Sequence, residues 1–283
     1  MSIMIIGGTG TVGSATTNRL IDAGYHVKVM TRSVDKFDDL PENAAGVVGN
    51  MQIPETLEDA MVGVERLFLI TPVAEDESDQ GINAVNAAKE ADVQRIVYMS
   101  VPMPEESRVI PHFASKVPVI DAIKSTGIDY TILEPNNFMQ NDFWFMQVIK
   151  EYGIYPQPIG SKGMNRVDIR DIADAAANAL IQNGHSGQHY PLHGPDSLTG
   201  EDVAKIYSEV FGKEIKYGGD DLDAWAEANK EFMPPSMIED MVIMYTFFQK
   251  YGFNASIEDF EKQEKVLGHA PRSFKDFVSE LAG

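Results

Sequence analysis

Three glycines near the start of the chain have the spacing of a loop that binds phosphate. The stretch Gly7-Gly8-Thr9-Gly10-Thr11-Val12-Gly13 matches G-x-x-G-x-x-G from Gly7 and G-x-G-x-x-G from Gly8. Such glycines permit a sharp turn, let the backbone approach a pyrophosphate, and let the next helix pack on the strand. The N–H groups that begin the helix then face the phosphates. The loop predicts a dinucleotide site, with a purely structural turn as the alternative.

A small basic site follows the second predicted strand. Thr31 stands where proteins that prefer NAD usually carry Asp or Glu, Arg32 comes next, and Lys36 is nearby. A guanidinium can pair with the 2′-phosphate of NADP and lie against adenine. These residues predict NADP(H) in preference to NAD(H). A solvated arginine at a strand end is the alternative.

Charge and composition exclude several classes of function. The 283-residue chain has a formal net charge of −20 and no cysteine. The charge argues against a nucleic-acid partner, which needs clustered Lys and Arg, and the missing thiols exclude disulfides and thiolate catalysis. No apolar run approaches the roughly 20 residues of a membrane span, and no basic signal region precedes Ile3. We therefore expect a cytoplasmic protein with no membrane partner.

Short apolar runs alternate with helical stretches over the first two thirds of the chain. IMII, RLFLI and RIVYM are apolar throughout, which indicates strands buried on both faces of a parallel sheet. The predicted strands are Ile3–Ile6, Val27–Met30, Gly46–Val48, Arg66–Ile70, Arg95–Met99, Tyr130–Leu133 and His189–Leu192. The predicted helices begin near Thr11, Pro54, Asp79, Ser115 and Asp168. This alternation predicts an α/β fold with a Rossmann-type doubly wound parallel sheet.

The pattern becomes mostly helical after Gly194. Thr199 is a predicted N-cap and Gly212 a predicted helix stop. Further helical periods cover Leu222–Phe232, Ser236–Lys250, Ser256–Leu267 and Ser273–Leu281. We predict a Rossmann core of residues 1–150 and 166–194, and a smaller, mostly helical lobe of residues 151–165 and 195–283. Such a lobe would cover the carboxyl ends of the strands, where ligands bind.

The ordered motifs resemble the NmrA-like branch of atypical short-chain dehydrogenases. The resemblance covers nearly the whole chain and is carried by the glycine loop, Thr31-Arg32, LITP at 69–72, LEPNNFMQN at 133–141, VDIRDIADAAANAL at 167–180 and GPDSLTGEDVAKIYSEVFGK at 194–213. It implies a Rossmann core, a small lobe and a nicotinamide dinucleotide between them. Some members reduce quinones, dyes or phenylpropanoids, and others bind the dinucleotide as regulators without turning it over.

The resemblance also implies a set of cofactor contacts. Gly7, Thr9, Gly10, Thr11, Val12 and Gly13 match the pyrophosphate loop, Arg32 the 2′-phosphate site, and Thr71 and Pro72 the loop beside the middle of the cofactor. Asn50 replaces a frequent Asp, and its amide can still bond adenine. Pro135, Asn136, Asn137 and Phe138 match the wall beside nicotinamide.

The candidate catalytic residues are His112, Lys116 and Ser100. Classical dehydrogenases of this superfamily use Tyr-x-x-x-Lys and an upstream Ser, in which the Tyr donates a proton and the Lys lowers its pKa and holds the nicotinamide ribose. Lys116 is therefore also a candidate cofactor-binding residue. Here His112 replaces the Tyr, four residues before Lys116, and Ser100 follows the fifth predicted strand. In isoflavone-reductase-like relatives, a Lys matching Lys116 is the general acid–base. A structural His112 and a surface Lys116 are the alternatives.

The sequence thus predicts an NADPH-dependent oxidoreductase that transfers hydride to a flat, largely apolar acceptor such as a quinone, enone or dye. The missing Tyr disfavours nucleotide-sugar epimerase chemistry and leaves open a non-catalytic NADP(H) sensor that acts through a protein partner. We expect a monomer or homodimer. No metal site is predicted, because His185, His189 and His193 lack an acidic fourth ligand. The aromatic stretch 138–146 predicts core packing or, alternatively, an apolar substrate or partner site.

Overall fold

Nine strands define the framework of the computed structural model, which describes residues 1–282. They are β1 (Ile3–Ile6), β2 (Val27–Thr31), β3 (Ala44–Val48), β4 (Arg66–Leu69), β5 (Arg95–Met99), β6 (Asp129–Pro135), β7 (Ile154–Tyr155), β8 (Gln188–Leu192) and β9 (Lys216–Tyr217). Seven form one sheet in the order β3-β2-β1-β4-β5-β6-β8, and β7 pairs with β9 in a second sheet. Every pair in the large sheet is parallel. This confirms the predicted Rossmann-type doubly wound fold.

Eleven helices within residues 1–282 accompany the strands. They are α1 (Thr11–Asp22), α2 (Pro54–Met61), α3 (Glu77–Glu90), α4 (Pro111–Ala114), α5 (Lys116–Thr126), α6 (Ile169–Ile181), α7 (Gly200–Phe211), α8 (Leu222–Asn229), α9 (Pro235–Tyr251), α10 (Ile257–Leu267) and α11 (Phe274–Glu280). A 3₁₀ segment, Met139–Phe145, follows β6. None of the described helices is both long and apolar enough to cross a membrane.

The large sheet is buried on both faces, as the apolar strand sequences require. All four residues of β1 are fully buried. Ile3 and Ile5 pack in one cluster with α1 and α6, whereas Met4 and Ile6 pack in another with α2, α3 and α5. Because side chains alternate across a strand, an uninterrupted apolar run fits only a sheet that helices cover on both sides.

The chain passes more than once between the sheet and a third apolar cluster, which lies away from the sheet. After β6 it enters the segment that contains β7, then returns to form α6 and β8. Residues of α7, α8, α9 and α11 pack in this third cluster. In contrast, Val266 and Leu267 of α10 pack with α6 and β8. Helix α10 therefore covers part of the large sheet.

Some element boundaries differ from the sequence prediction. The helix predicted near Ser115 is two helices, α4 and α5, with Ser115 between them. Helix α3 begins at Glu77 rather than near Asp79. Strands β7 and β9 have two residues each, too few to produce a period that the sequence could reveal.

Candidate functional site

The glycine loop lies where the strand order reverses, between β1 and β4. Gly7 has φ of +83°, which side chains disfavour, and a Cβ on Gly13 would lie 2.1 Å from the Gly7 carbonyl oxygen. Helix α1 therefore approaches the loop more closely than any side chain would permit. No side chain caps α1, and its first turn has no acidic residue. Its first N–H groups lack intrahelical acceptors and can bind phosphate.

A cleft of about 600 Å³ opens beside this loop. Its lining comprises Gly7, Gly10, Thr11, Val12, Gly13, Ile70, Val73, Met99, Phe138, Gln140, Asn141, Phe143 and Trp144. No ionisable side chain is among them, although the chain as a whole is strongly acidic. The cleft thus combines backbone donors for phosphate with side chains that are mainly apolar and aromatic, together with the amides of Gln140 and Asn141.

The predicted nicotinamide wall contributes one residue to this lining, Phe138. Pro135 is buried at the end of β6. Asn136 is also buried, and its Nδ2 donates to His193 Nδ1 at 3.0 Å and to the Phe253 carbonyl at 2.7 Å. Pro135 and Asn136 therefore lie behind the wall and do not face the cleft.

A buried arginine fixes the segment that carries Phe138. The Arg166 guanidinium donates to both carboxylate oxygens of Asp142 at 2.8 Å, to the Phe138 carbonyl at 2.8 Å, and to Asn137 Oδ1 at 3.2 Å. Tyr207 donates its hydroxyl to the same carboxylate at 2.9 Å. Burial alone would lower the pKa of Arg166, but the Asp142 charge holds it above the ordinary value. This network could not be predicted from the sequence, because its partners are far apart in the chain and match no motif.

Lys116 is part of a buried polar cluster beneath the loop that follows β4. Its Nζ donates to Glu77 Oε1, and both side chains are almost fully shielded from water. Glu77 also accepts hydrogen bonds from Thr71 Oγ1 at 2.6 Å and from Ser115 Oγ at 2.7 Å. Tyr98 lies 3.3 Å from Thr71, and burial raises the pKa of its hydroxyl. The cluster links α3, α5 and the loop that contains Thr71 and Pro72.

None of the three candidate catalytic residues lines the cleft. His112 Nδ1 lies 2.7 Å from Asp240 Oδ1 of α9. Its ring thereby connects α4 to the helices α7, α8, α9 and α11, which together form the helical region. Ser100 is buried, and its Oγ has no hydrogen-bond partner within residues 1–282. Lys116 reaches the cleft wall only indirectly, through Glu77 and Thr71.

The residues predicted to hold the adenosine end lie outside this cleft. Arg32 is exposed after β2 and makes no ion pair within the described part of the chain. Lys36 Nζ lies 3.5 Å from Asp39 Oδ2, and both are exposed. Asn50 Oδ1 accepts the Gln52 N–H at 3.1 Å. Arg32 is therefore available to an anionic ligand, whereas Lys36 already has a carboxylate neighbour.

One group of side chains is spaced closely enough to hold a metal ion. The ligand atoms of Asp171, Asp174 and His269 lie within 4.8 Å of one another. Arg272 donates to both carboxylates, and Arg19 Nε donates to Asp174 at 2.7 Å. These guanidinium groups already compensate the negative charge, and we assign no metal to the group.

A parallel doubly wound sheet with a glycine loop at its switch point is the architecture of Rossmann-type NAD(P)-binding proteins. The model of the NmrA-like family matches residues 1–278, and the chain belongs to this family. The resemblance seen in the sequence is thereby confirmed.

Relatives and solved structures agree with this assignment. The NAD(P)H azoreductase of Xenophilus azovorans is 32% identical over 287 aligned residues, which cover 99% of this chain and 98% of that protein. Quinone oxidoreductase 2 of Escherichia coli is 26% identical and covers 80% of this chain and 78% of its own. The Citrobacter sp. triphenylmethane reductase, solved with NADP(H), is 25% identical with a TM-score of 0.87, covering 99% of this chain and 100% of its own. These comparisons support a nicotinamide-dependent oxidoreductase.

Proposed function

We propose that the protein is an NADPH-dependent oxidoreductase that transfers hydride to a flat, largely apolar acceptor such as a quinone, an enone or a dye. The observation that carries this proposal is the cleft beside the glycine loop, whose lining is mainly apolar and aromatic and free of ionisable side chains. An anionic acceptor would find no cationic side chain in this lining. The names of the relatives point the same way, since they include azo, quinone and triphenylmethane reductases.

The N–H groups that begin α1 would hold the pyrophosphate of a bound dinucleotide. Arg32 pairs with the 2′-phosphate, which is the basis for preferring NADP(H). Phe138 supports one face of the nicotinamide ring, and Arg166 holds Phe138 in place through its main chain. When bound, the cofactor supplies the hydride.

The proton that completes reduction comes from water at the open mouth of the cleft, because no ionisable side chain lines it. Quinones and azo compounds suit such a site, because hydride addition leaves an oxygen or nitrogen anion that takes up a proton from solvent. A cationic triphenylmethane dye becomes neutral when it accepts hydride and needs no proton. Lys116 contributes by positioning the Thr71 loop, which it reaches through the carboxylate of Glu77.

The proposal is tested by NADPH oxidation with the purified protein and a panel of quinones, azo and triphenylmethane dyes, enones and simple aldehydes. We expect turnover with the planar conjugated acceptors and little with aldehydes, whose reduction needs proton donation at the carbonyl oxygen. NADPH binding without oxidation by any member of the panel would contradict the proposal.

A second candidate function is a non-catalytic NADP(H) sensor that acts through a protein partner. It is favoured by one observation: His112, Lys116 and Ser100 are all outside the cleft, and Lys116 is held by Glu77. Its test is capture of a partner whose affinity differs between the NADPH-bound and NADP⁺-bound protein. Equal capture in both states would count against it.

A further inference from the structure

Trp144 is an unusually exposed tryptophan at the mouth of the cleft. Its relative exposure is 88%, whereas Trp225, the other tryptophan of the chain, is 7% exposed. A tryptophan side chain carries a large apolar surface, and leaving it in water forgoes the gain that burial would bring. Exposed aromatic surface beside a concave site is typical of ligand-binding positions.

The exposure of Trp144 does not reflect a loose segment. Asp142, two residues earlier, is fully buried and held by Arg166 and Tyr207. The ring of Phe143 lies 5.8 Å from that of Phe277 in α11. The backbone that carries Trp144 is thus fixed to the helical region, while its indole remains free to contact a ligand.

The neighbours of Trp144 indicate the part of a ligand that it would meet. Trp144 shares the cleft lining with Phe138, of the predicted nicotinamide wall, and with Met99, the last residue of β5. Neither Arg32 nor Asn50 lines this cleft. Trp144 is therefore placed for the acceptor rather than for the adenine of the cofactor.

We propose that Trp144 is the aromatic surface on which the acceptor stacks, and that it selects planar ring systems over compact ones. This inference rests on the proposed function and names the residue that sets acceptor class. Offset stacking of two aromatic rings is favourable beyond the area that it buries, and the uncharged lining adds no competing electrostatic preference. The indole becomes covered only when an acceptor is present.

The first arm of the test uses the fluorescence of Trp144 itself. Trp225→Phe leaves Trp144 as the single tryptophan and removes no hydrogen bond, because the Trp225 indole N–H has no partner in residues 1–282. A naphthoquinone added to this variant with NADP⁺ forms a complex that cannot turn over. We expect saturable static quenching of Trp144 emission. The matched variant Trp144→Phe, which retains only Trp225, should show no saturable quenching.

The second arm is kinetic. Trp144→Ala should raise KM for planar acceptors about tenfold, with kcat and the Kd for NADPH changed less than twofold, while Trp144→Phe retains most of the affinity. Phe232→Ala is the control, because Phe232 is 81% exposed but lies outside the cleft. An unchanged KM in Trp144→Ala, with turnover intact, overturns this inference and leaves the proposed function standing.

The two proposals fail in different ways. Absence of turnover with every acceptor removes the oxidoreductase, and the quenching experiment then decides the stacking site alone. Quenching that persists without turnover supports Trp144 as a binding surface for planar ligands. Absence of saturable quenching overturns it.

Discussion

Lys116 and Glu77 show how a residue that matches a catalytic position can have a second role in the fold. Their charges are shielded from water, and hydroxyls of Thr71 and Ser115 satisfy the remaining carboxylate bonds. A buried ion pair contributes little net stability compared with apolar replacements, but removal of one partner leaves an uncompensated charge. A simple alanine substitution at Lys116 would therefore confuse lost catalysis with lost folding.

We expect Lys116→Met to lower the free energy of unfolding by about 3–5 kcal/mol, because the Glu77 carboxylate is left buried without its cation. The double variant Lys116→Met/Glu77→Gln removes both charges and should recover most of this loss. Urea denaturation of the three proteins measures the effect. A single variant as stable as the parent would show that Glu77 finds another partner.

The same double variant separates the two roles of Lys116. If it folds well and retains NADPH oxidation, Lys116 acts only through the structure. If it folds well but loses turnover at unchanged NADPH affinity, the ammonium group takes part in the reaction.

At Arg32, the expected effect is on cofactor choice. Arg32→Glu should weaken NADPH binding at least tenfold, because repulsion replaces an ion pair with the 2′-phosphate, and should leave NADH binding nearly unchanged. Titration calorimetry with both cofactors measures the difference. Lys36→Glu is the matched control with a smaller expected effect, since Lys36 already lies near Asp39. Equal losses for NADPH and NADH would remove the 2′-phosphate assignment.

Among the elements, the glycine loop with α1 is the part that local sequence specifies best. The loop, the buried strand before it and the helix after it are adjacent in the chain, so a motif of seven residues contains the whole geometry. The close approach of α1 to the loop depends on Gly13 more than on Gly10. A Cβ on Gly10 would lie 3.3 Å from the Gly7 carbonyl oxygen, compared with 2.1 Å for Gly13.

We accordingly expect Gly13→Ala to displace α1 and reduce NADPH affinity by more than tenfold, whereas Gly10→Ala should have a milder effect on binding. NADPH titration of both variants measures the effect, and thermal unfolding reports how far the fold itself is disturbed. If Gly10→Ala proves the more damaging change, the loop contacts phosphate mainly through Gly10, and helix packing matters less.

Non-local contacts explain what the sequence did not predict. Uniformly apolar runs such as that of β1 identify buried strands. A strand that is buried on both faces needs apolar side chains at consecutive positions, so the signal is local. In contrast, Arg166 and Asp142 pair across 24 residues, and His112 contacts Asp240 across 128. Neither pairing leaves a local pattern. The orientation of Asn136 away from the cleft likewise depends on Phe253, which arrives from a distant part of the chain.

For the molecule as a whole, His193 makes stability depend on pH. It lies at the end of β8, almost fully buried, with its ring 6.3 Å from that of Phe260 in α10. Burial lowers the pKa of His193 to about 4, and the nearby Asp259 charge only partly opposes this. The unfolded chain, with a histidine pKa near 6.5, therefore binds more protons than the folded protein between these two values.

It follows that the free energy of unfolding should fall as pH decreases from about 6.5 to about 4, by about 3 kcal/mol from His193. Below pH 4 this contribution is fully lost. His193→Gln, which keeps a neutral acceptor for Asn136, should flatten the profile within that window. Urea unfolding at several pH values compares the two proteins. Parallel profiles would assign the pH dependence to other groups.

Helix α10 has a consequence for the order in which the molecule is made. The last strand of the large sheet ends at Leu192, but the apolar surface of α6 and β8 is covered by Val266 and Leu267. During translation, the apolar surface of α6 and β8 would stay exposed to solvent until residue 267 had been synthesised. Although N-terminal domains commonly fold during translation, this core is completed only after most of the helical region exists. A nascent chain arrested after β8 would therefore expose the apolar surface that Val266 and Leu267 cover in the complete fold.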